Sequence, residues 1–500
     1  MKRSLFVLAA FFSALFINFI FAAVSEEVDY MAILVDGHKI GHAVHTRKVE
    51  GTRVTTIDDM NMLIGRGPSA IQYTGKEVSV ETTAGKPVAF EFVQNISGTE
   101  QTRKGTINAG KVKMTVQNGP TTQESTIPYP DGALMAEGMR LLQIQKGLQE
   151  GQKYEVLIFR PDMEQAIPAG IEIGKKSKID LLGRMLELSE VKVSMQFGQQ
   201  AIVVASYVDE NFKALKSIVP MMGMNLELVA CEKDFALRQD DIVDFLDKLS
   251  VACPVAIDKS DLAGLITYEL AATTDKPLVI PNTDTQTVKQ IAPGRFEVTV
   301  HPIVPQGPVK YPYAGRDKEI KKALEPTEYL QTKDAKIIDL VKYAAVNPDD
   351  AVKASLQIEG FVMGYITQKD FSVGYASAAE VARSRQGDCT EHALLAAAMC
   401  RAAGIPSRVV CGVVYSNAIG EKKNVFGAHM WAEIFLGDKW FPIDPTRAPN
   451  GFSAGHITLA RGDGEPTNFF SLVNTLGCFK IEKVILPLKP AAALAPASAK

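Results

Sequence analysis

From about residue 28 the chain alternates apolar and polar positions in short runs broken by turn residues. Ala32-Ile33-Leu34-Val35, then Asp36-Gly37, then Lys39 to Arg47 predicts a hairpin, because Asp-Gly supplies the positive φ of a tight primed turn. Glu50-Gly51, Thr74-Gly75, Ala84-Gly85, Ser97-Gly98 and Asn118-Gly119 punctuate further runs such as Phe90-Glu91-Phe92-Val93 and Val112 to Val116. This spacing predicts an antiparallel meander with one polar face. Asp131 to Leu148 reads as one helix, and Tyr154 to Phe159 returns to strand. Ile179 to Leu188, Val191 to Phe197 and Ala201 to Val208 are candidate strands of a second sheet-forming unit. Arg238 to Leu249, with Ile242, Phe245 and Leu249 at helical spacing, predicts a short helix.

Prolines crowd residues 275–330, around one clear strand at Phe296 to Val300, and after Pro326 the period becomes helical. Asp334 to Ala344 is amphipathic. Asn347-Pro348-Asp349-Asp350 reads as an N-cap, a first-turn proline and acids that suit the helix dipole. The helix it opens puts Ala351, Ala354, Ile358, Phe361, Val362 and Tyr365 on one face, and Ser377-x-x-Glu380 is a capping box. Arg408 to Tyr415 is a buried-strand candidate, a loop holds Gly420 to Lys423, and His429 to Leu436 and Lys439 to Ile443 form a hairpin at Gly437-Asp438. The tail after Pro487 is rich in Ala and Pro.

A chain of 500 residues, 46% hydrophobic and 22% charged, has room for several domains with cores. A net charge of -3 and the lack of any Lys/Arg-rich run argue against a nucleic-acid partner. Met1-Lys2-Arg3 followed by the apolar run Leu5 to Ala23, with a small-residue site at Ala23-Val24-Ser25, reads as a secretory signal over 1–25. An uncleaved N-terminal anchor is the competing expectation for that run, and the only membrane contact expected. The expected location is therefore outside the cytoplasm, in the periplasm or cell envelope. Cys231, Cys253, Cys389, Cys400, Cys411 and Cys478 are too sparse for a disulfide framework, although a Cys231–Cys253 bridge is compatible with the sequence.

Chemistry concentrates in one stretch, Arg385-Gln386-Gly387-Asp388-Cys389-Thr390-Glu391-His392. A polar turn runs there into the Ala-rich segment 393–403, which Gly404-Ile405-Pro406 stops. Cys389 is thus placed in the first turn of a buried helix, where free backbone N–H groups and the dipole stabilise negative charge. His429 opens one strand of the downstream hairpin and Asp444 ends the other. A strand-borne imidazole beside a helix N-terminus can take a proton from a thiol, and a neighbouring carboxylate can hold its tautomer. Strand alternation puts His429, Trp431 and Glu433 on one face and Met430, Ala432 and Ile434 on the other. His392, Glu433 and Trp431 are candidates for supporting contacts to the site. Each has a plainer reading, as a hydrogen-bonded histidine, an inter-strand ion pair and a core aromatic. No metal site is expected: Cys389-x-x-His392 has no matching second pair, and His38, His42 and His45 lie on a surface strand.

Residues 330–450 resemble the transglutaminase-like superfamily in its bacterial exported branch. The resemblance rests on Gly387-Asp388-Cys389, the run Arg401 to Arg408, His429-Met430-Trp431-Ala432-Glu433, and Trp440-Phe441-Pro442-Ile443-Asp444-Pro445-Thr446. It implies a papain-like triad of Cys389, His429 and Asp444 that forms a thioester with a carboxamide or peptide carbonyl and needs no cofactor. The animal cross-linking enzymes carry a tryptophan upstream of the cysteine to hold the oxyanion. Here both tryptophans, Trp431 and Trp440, lie downstream, so Gln386 and Tyr375 are the donors expected to join the Cys389 N–H. That departure favours hydrolysis over cross-linking.

The expected architecture is α+β, with antiparallel β-rich segments at 28–165 and 166–320, a catalytic domain at 325–450 and a C-terminal extension at 451–500. The leading functional expectation is a cysteine amidohydrolase or peptidase acting on peptide, protein or cell-envelope amides. Transamidation is the alternative outcome of the same thioester, and a non-catalytic envelope-binding protein is an alternative of a different class.

Overall fold

The computed structural model describes residues 25–487, apart from 67–68, 97, 119–120, 198–199, 222–223, 246–249, 275–276, 345, 347–348, 370–375, 449–450 and 465–474. The apolar segment before residue 25, Tyr375, the Asn347-Pro348 pair and the tail after Leu486-Pro487 therefore lie outside the described residues or at their edge.

The chain opens as a meander of strands β1 (Glu26–Val35), β2 (His38–Glu50), β3 (Arg53–Arg66), β4 (Ser69–Thr82), β5 (Pro87–Ile96), β6 (Thr99–Asn108), β7 (Lys111–Asn118) and β8 (Thr121–Pro128). Asp36 and Gly37 both take positive φ, 50° and 81°, as a primed turn demands. Thr74-Gly75, expected to be a turn, instead continues through β4 opposite Asn95 and Gln94. A bare Cα suits that position, because a Cβ on Gly75 would lie 2.5 Å from the Tyr73 hydroxyl.

A second meander follows: β9 (Ala133–Leu134), helix α1 (Ala136–Lys146), then β10 (Lys153–Arg160), β11 (Gln165–Leu181), β12 (Arg184–Phe197), β13 (Gln200–Val208), β14 (Ala214–Met221) and β15 (Met224–Ala230). Helix α1 is shorter than the sequence predicts, since Ala133 and Leu134 pair in parallel with β10. Antiparallel pairing of β1 with β15, Met31 opposite Ala230, fuses the two meanders into one sixteen-stranded sheet. Its last member is β16 (Val243–Asp244), which pairs in parallel with β3. Within the stretch Arg238 to Leu249, expected to be a helix, Val243 and Asp244 are strand instead, and residues 246–249 lie outside the described residues. Pairing with a sheet edge outweighs a weak helical period there.

The next strands belong to other sheets: β17 (Val251–Ala252), β18 (Ile266–Ala272), β19 (Gln286–Ala292) and β20 (Arg295–Val300). Helices α2 (Ala335–Tyr343), α3 (Ala351–Tyr365), α4 (Ala378–Ser384) and α5 (Cys389–Ala403) precede β21 (Ser407–Ile419), β22 (Lys422–Leu436), β23 (Lys439–Ile443), β24 (His456–Gly462) and β25 (Phe479–Ile485). The five-stranded sheet runs β17-β22-β21-β24, with β23 on β22, and a four-stranded sheet runs β19-β20-β18-β25. Asp350, not Asn347, caps α3, accepting the Val352 N–H at 3.1 Å. Strands take 52% and helices 17%, so the α+β expectation holds only loosely: the protein is mostly β, with α2 to α5 gathered beside the five-stranded sheet.

Helix α5 is the centre of that helical layer. It packs on β22 and β21 and against α2, α3 and α4. Ala393, Ala396, Ala397 and Ala398 are fully buried, and their small side chains let the surrounding elements approach closely. None of the six cysteines is in a disulfide, so the Cys231–Cys253 bridge compatible with the sequence does not form. Among the described residues no helix is long and apolar enough to cross a membrane.

Candidate active site

The turn before α5 is built by backbone constraints. Arg385 closes α4 in the left-handed region at φ 58°, and Gly387 follows at φ 143°. A Cβ on Gly387 would lie 2.2 Å from the Glu391 Cβ, so that position requires glycine. Gly387 N–H donates to the Gln368 carbonyl at 3.0 Å, tying the turn to the segment after α3. Asp388 then caps α5 reciprocally: its carboxylate accepts the Thr390 N–H at 2.8 Å, while its own N–H donates to Glu391 at 3.0 Å. Glu391 is fully buried, and its other oxygen accepts the Ala376 N–H at 2.9 Å. Cys389 is thereby fixed as the first residue of α5, partly exposed.

On β22, His429 sits opposite Gly412 of β21. Its Nε2 lies 2.8 Å from Asp444 Oδ2, just beyond the end of β23, and Cys389 is close enough to act on the charge of the same ring. The Thr446 hydroxyl also lies 3.4 Å from that Nε2. Asp444 is fully buried and saturated: Oδ1 accepts the Thr446 N–H at 3.0 Å and the Thr446 hydroxyl at 2.5 Å. Its backbone N–H donates to Glu359 Oε1 of α3 at 2.7 Å. Oδ2 has a second partner, His456 Nε2 of β24, at 3.1 Å.

The charges follow from that geometry. Burial alone would favour a neutral His429, but the charges of Asp444 and Cys389 outweigh it and raise the imidazole from 6.5 to about 10. Burial likewise opposes ionisation of Asp444, yet the imidazolium and the hydrogen bonds from both histidines hold its carboxyl far below 3.8. His456 is lowered, chiefly by burial. The site thus carries a cationic ring against an ionised carboxylate, with Cys389 near the ring.

The other sequence-nominated residues fall in different places. The His392 ring turns back onto its own turn, its Nδ1 2.6 Å from the Asp388 carbonyl, and burial lowers its pKa. Glu433 shares the His429 face of β22 but is taken by Arg408, directly across on β21, at 2.8 and 2.7 Å. That guanidinium lies 3.8 Å over the Trp440 ring. Trp431 is fully buried and stacks on His429 with ring centroids 6.0 Å apart. The Gln386 amide donates to the Gln368 side chain at 2.6 Å, so it is engaged within the turn. Of the three upstream histidines, His45 is not on the surface: it is fully buried, 2.6 Å from Asp58 on β3.

Sequence reading missed Glu359 and His456. Glu359 lay on the face of α3 that the apolar period leaves polar. His456 stands in no motif, and only strand pairing brings it to Asp444. His429, Asp444 and His456 also offer one ligand atom each within 4.8 Å of one another, the only such set among the described residues. The atoms that would bind an ion already hold one another, because Asp444 Oδ2 accepts from both rings.

Residues 338–445 match the family model of the Transglutaminase-like superfamily, a segment that holds Cys389, His429 and Asp444 and leaves His456 outside. The chain therefore carries a transglutaminase-like core. No curated protein matches it. Two solved structures are similar at low identity. One is a candidate cysteine protease from Cytophaga hutchinsonii, 17% identical, with TM-score 0.31 over 45% of this chain and 84% of that one. The other is a candidate protease from Parabacteroides distasonis, 12% identical, with TM-score 0.19 over 79% of this chain and 70% of that one.

Proposed function

We propose that this protein is a cysteine amidohydrolase that cleaves peptide or side-chain amides of protein or cell-envelope substrates through a thioester on Cys389. One observation supports the reading above the rest: His429 joins a buried, ionised Asp444 at 2.8 Å to a partly exposed thiol at a helix start. Burial pushes the Cys231, Cys253 and Cys400 thiols up, whereas the Cys389 sulfur meets a ring that stays cationic.

In this reading the Cys389 thiolate attacks the amide carbon and the carbonyl π electrons move to oxygen. The Cys389 backbone N–H, which has no intrahelical acceptor in the first turn of α5, donates to that oxyanion. His429 gives its proton to the leaving nitrogen as the C–N bond breaks, and the amine departs. Neutral His429 then takes a proton from water, whose oxygen attacks the thioester and releases the acid and the thiolate. Asp444 holds the ring and its charge throughout. An amine in place of water would give transamidation by the same steps. Export to the periplasm or envelope, supported by the apolar run Leu5 to Ala23 after Lys2-Arg3, would place such substrates within reach.

Competitive alkylation of the six cysteines tests the proposal. Cys389 should label fastest, lose that lead in His429→Ala, and yield an acyl adduct from cell-envelope extract that mass spectrometry identifies. Labelling of Cys389 no faster than of Cys231, with no adduct, would point instead to a non-catalytic binding protein.

A further inference from the structure

The second imidazole on Asp444 lies outside the segment that matches the superfamily model. His456 opens β24, the strand on the far side of β21 from β22. It pairs with Val414, while Gly412, two residues earlier on β21, pairs with His429 on one side and Thr458 on the other. The two rings therefore reach around β21 toward one carboxylate, with centroids 5.8 Å apart. Gly412 leaves the room for this: a Cβ there would lie 2.8 Å from Trp431 Cη2 and 2.1 Å from the Ile457 carbonyl.

The surroundings of His456 fix its proton. The ring is fully buried, with Trp431 at 5.2 Å edge-on and Phe452 at 4.7 Å. Nδ1 lies 3.1 Å from both the Ser453 N–H, which can donate to it, and the Ser453 carbonyl, with the Ser453 hydroxyl at 3.3 Å. Nε2 faces an ionised carboxylate that can only accept, so the single proton of a neutral ring belongs on Nε2, and Nδ1 accepts from the Ser453 N–H. Nε2–H then donates to Asp444 Oδ2 at 3.1 Å. The charged groups facing this ring are Asp444, His429 and Arg447. A neutral donor suits the place, since it strengthens the carboxylate's ionised form without competing as a second cation for its charge.

We propose that His456 is a positioning residue of the active site: its Nε2–H, held by the Ser453 N–H on Nδ1, keeps Asp444 ionised and aimed at His429. The proposal rests on the cysteine-enzyme reading above. With His456 on Oδ2 and Thr446 on Oδ1, the carboxylate cannot rotate away from His429 without breaking hydrogen bonds in a buried pocket. The positive charge on His429 beside Cys389 thus depends on a residue that never touches substrate.

The test uses the full chain with isotope-labelled histidine, in which long-range nitrogen–proton NMR reads each ring's tautomer and charge. Wild-type His456 should be neutral with its proton on Nε2 across roughly pH 5 to 8, while His429 is cationic. His456→Phe, which keeps a ring and removes the donor, should move the His429 titration down toward 6.5. It should also slow iodoacetamide labelling of Cys389 near pH 6 by roughly tenfold or more. His456→Gln, which offers an N–H near the Nε2 position, should bring labelling back to within about threefold of wild type. A cationic or Nδ1-protonated His456 in the wild type would overturn the assignment, and that reading needs no variant to fold. So would a folded Phe variant with an unmoved His429 titration. The two proposals fail separately: slow labelling of wild-type Cys389 removes the enzyme, whereas an Nδ1-protonated His456 beside a fast-labelling Cys389 removes only the positioning role.

Discussion

Glu359 of α3 accepts the backbone N–H of Asp444 at 2.7 Å, so a helix fixes the point where β23 ends and the carboxylate begins. Burial raises the Glu359 pKa, and the charge of Asp444 adds to the rise. An acid raised in the folded state costs stability as pH climbs from its unfolded value, here 4.5, toward its folded one, and the full cost remains above that. Glu359→Gln keeps an oxygen for the Asp444 N–H and removes that cost. It should leave Cys389 labelling near wild type and raise Tm at pH 8 more than at pH 4. Glu359→Ala leaves a buried N–H unmet, and should cost about 1–3 kcal/mol in urea unfolding while slowing Cys389 labelling. Equal behaviour of the two variants would contradict the acceptor role.

His429 and Asp444 define a pH window for stability. The imidazole is raised from 6.5 to about 10, so its contribution is complete below 6.5 and is lost as pH rises toward 10. The carboxyl is depressed below 3.8, so its contribution is complete above 3.8 and is lost as pH falls further. The difference in unfolding free energy between wild type and His429→Gln should therefore be greatest between 3.8 and 6.5 and shrink toward pH 10. Its maximum should be on the order of 3 kcal/mol, the scale for breaking a buried pair. Denaturant melts at pH 5, 7 and 9 measure it, and a difference that grows with pH would refute the assignment of charges.

Gly387 is the backbone requirement of the turn. Gly387→Ala combines a positive φ with a Cβ 2.2 Å from Glu391, whose carboxylate holds both Asp388 and Ala376. The cost should be ~2 kcal/mol or more, and the fast phase of Cys389 labelling should disappear even where the variant stays folded. Calorimetry with timed alkylation checks both.

The large sheet touches the catalytic part through a polar seam. Arg103 on β6 and Asn118 on β7 meet Glu328 at 3.3 and 3.2 Å, and Gln101 donates to the Tyr329 hydroxyl at 3.3 Å. Tyr329 in turn accepts the Ala378 N–H at 2.9 Å, and Gln331 accepts that of Ala379 at 3.0 Å, so this segment holds the start of α4. Arg103→Met should speed hydrogen exchange at residues 378–384 by roughly tenfold, the effect of losing about 1.4 kcal/mol of local stability, and leave β21 and β22 unchanged. Uniform protection across both regions would mean that the sheet and α4 are uncoupled.

Local sequence specified much of this. Asp36-Gly37 wrote its own hairpin, and Ser377-x-x-Glu380 closed as a capping box with the Ser377 N–H 2.7 Å from Glu380. Thr74-Gly75 misled because a glycine inside a strand and a glycine at a turn look alike until the neighbour, here the Tyr73 hydroxyl, is known. Asn347 misled because several residues in a row could cap α3, and the one chosen, Asp350, also accepts the Val309 N–H at 3.2 Å.

What the sequence determined by itself were the properties written in neighbouring residues: strand alternation, turn chemistry, the Ala-rich helix behind Cys389, and the hairpin that sets His429 near Asp444. Tertiary structure decided what depends on chain segments far apart. It closed two meanders into one sheet through β1 and β15, turned Glu433 to Arg408, and brought Glu359 from a helix and His456 from a later strand onto Asp444. The physical reason is that a buried carboxylate must have every acceptor position filled, and which side chains fill them is set by packing across the sheet, where sequence distance has no bearing.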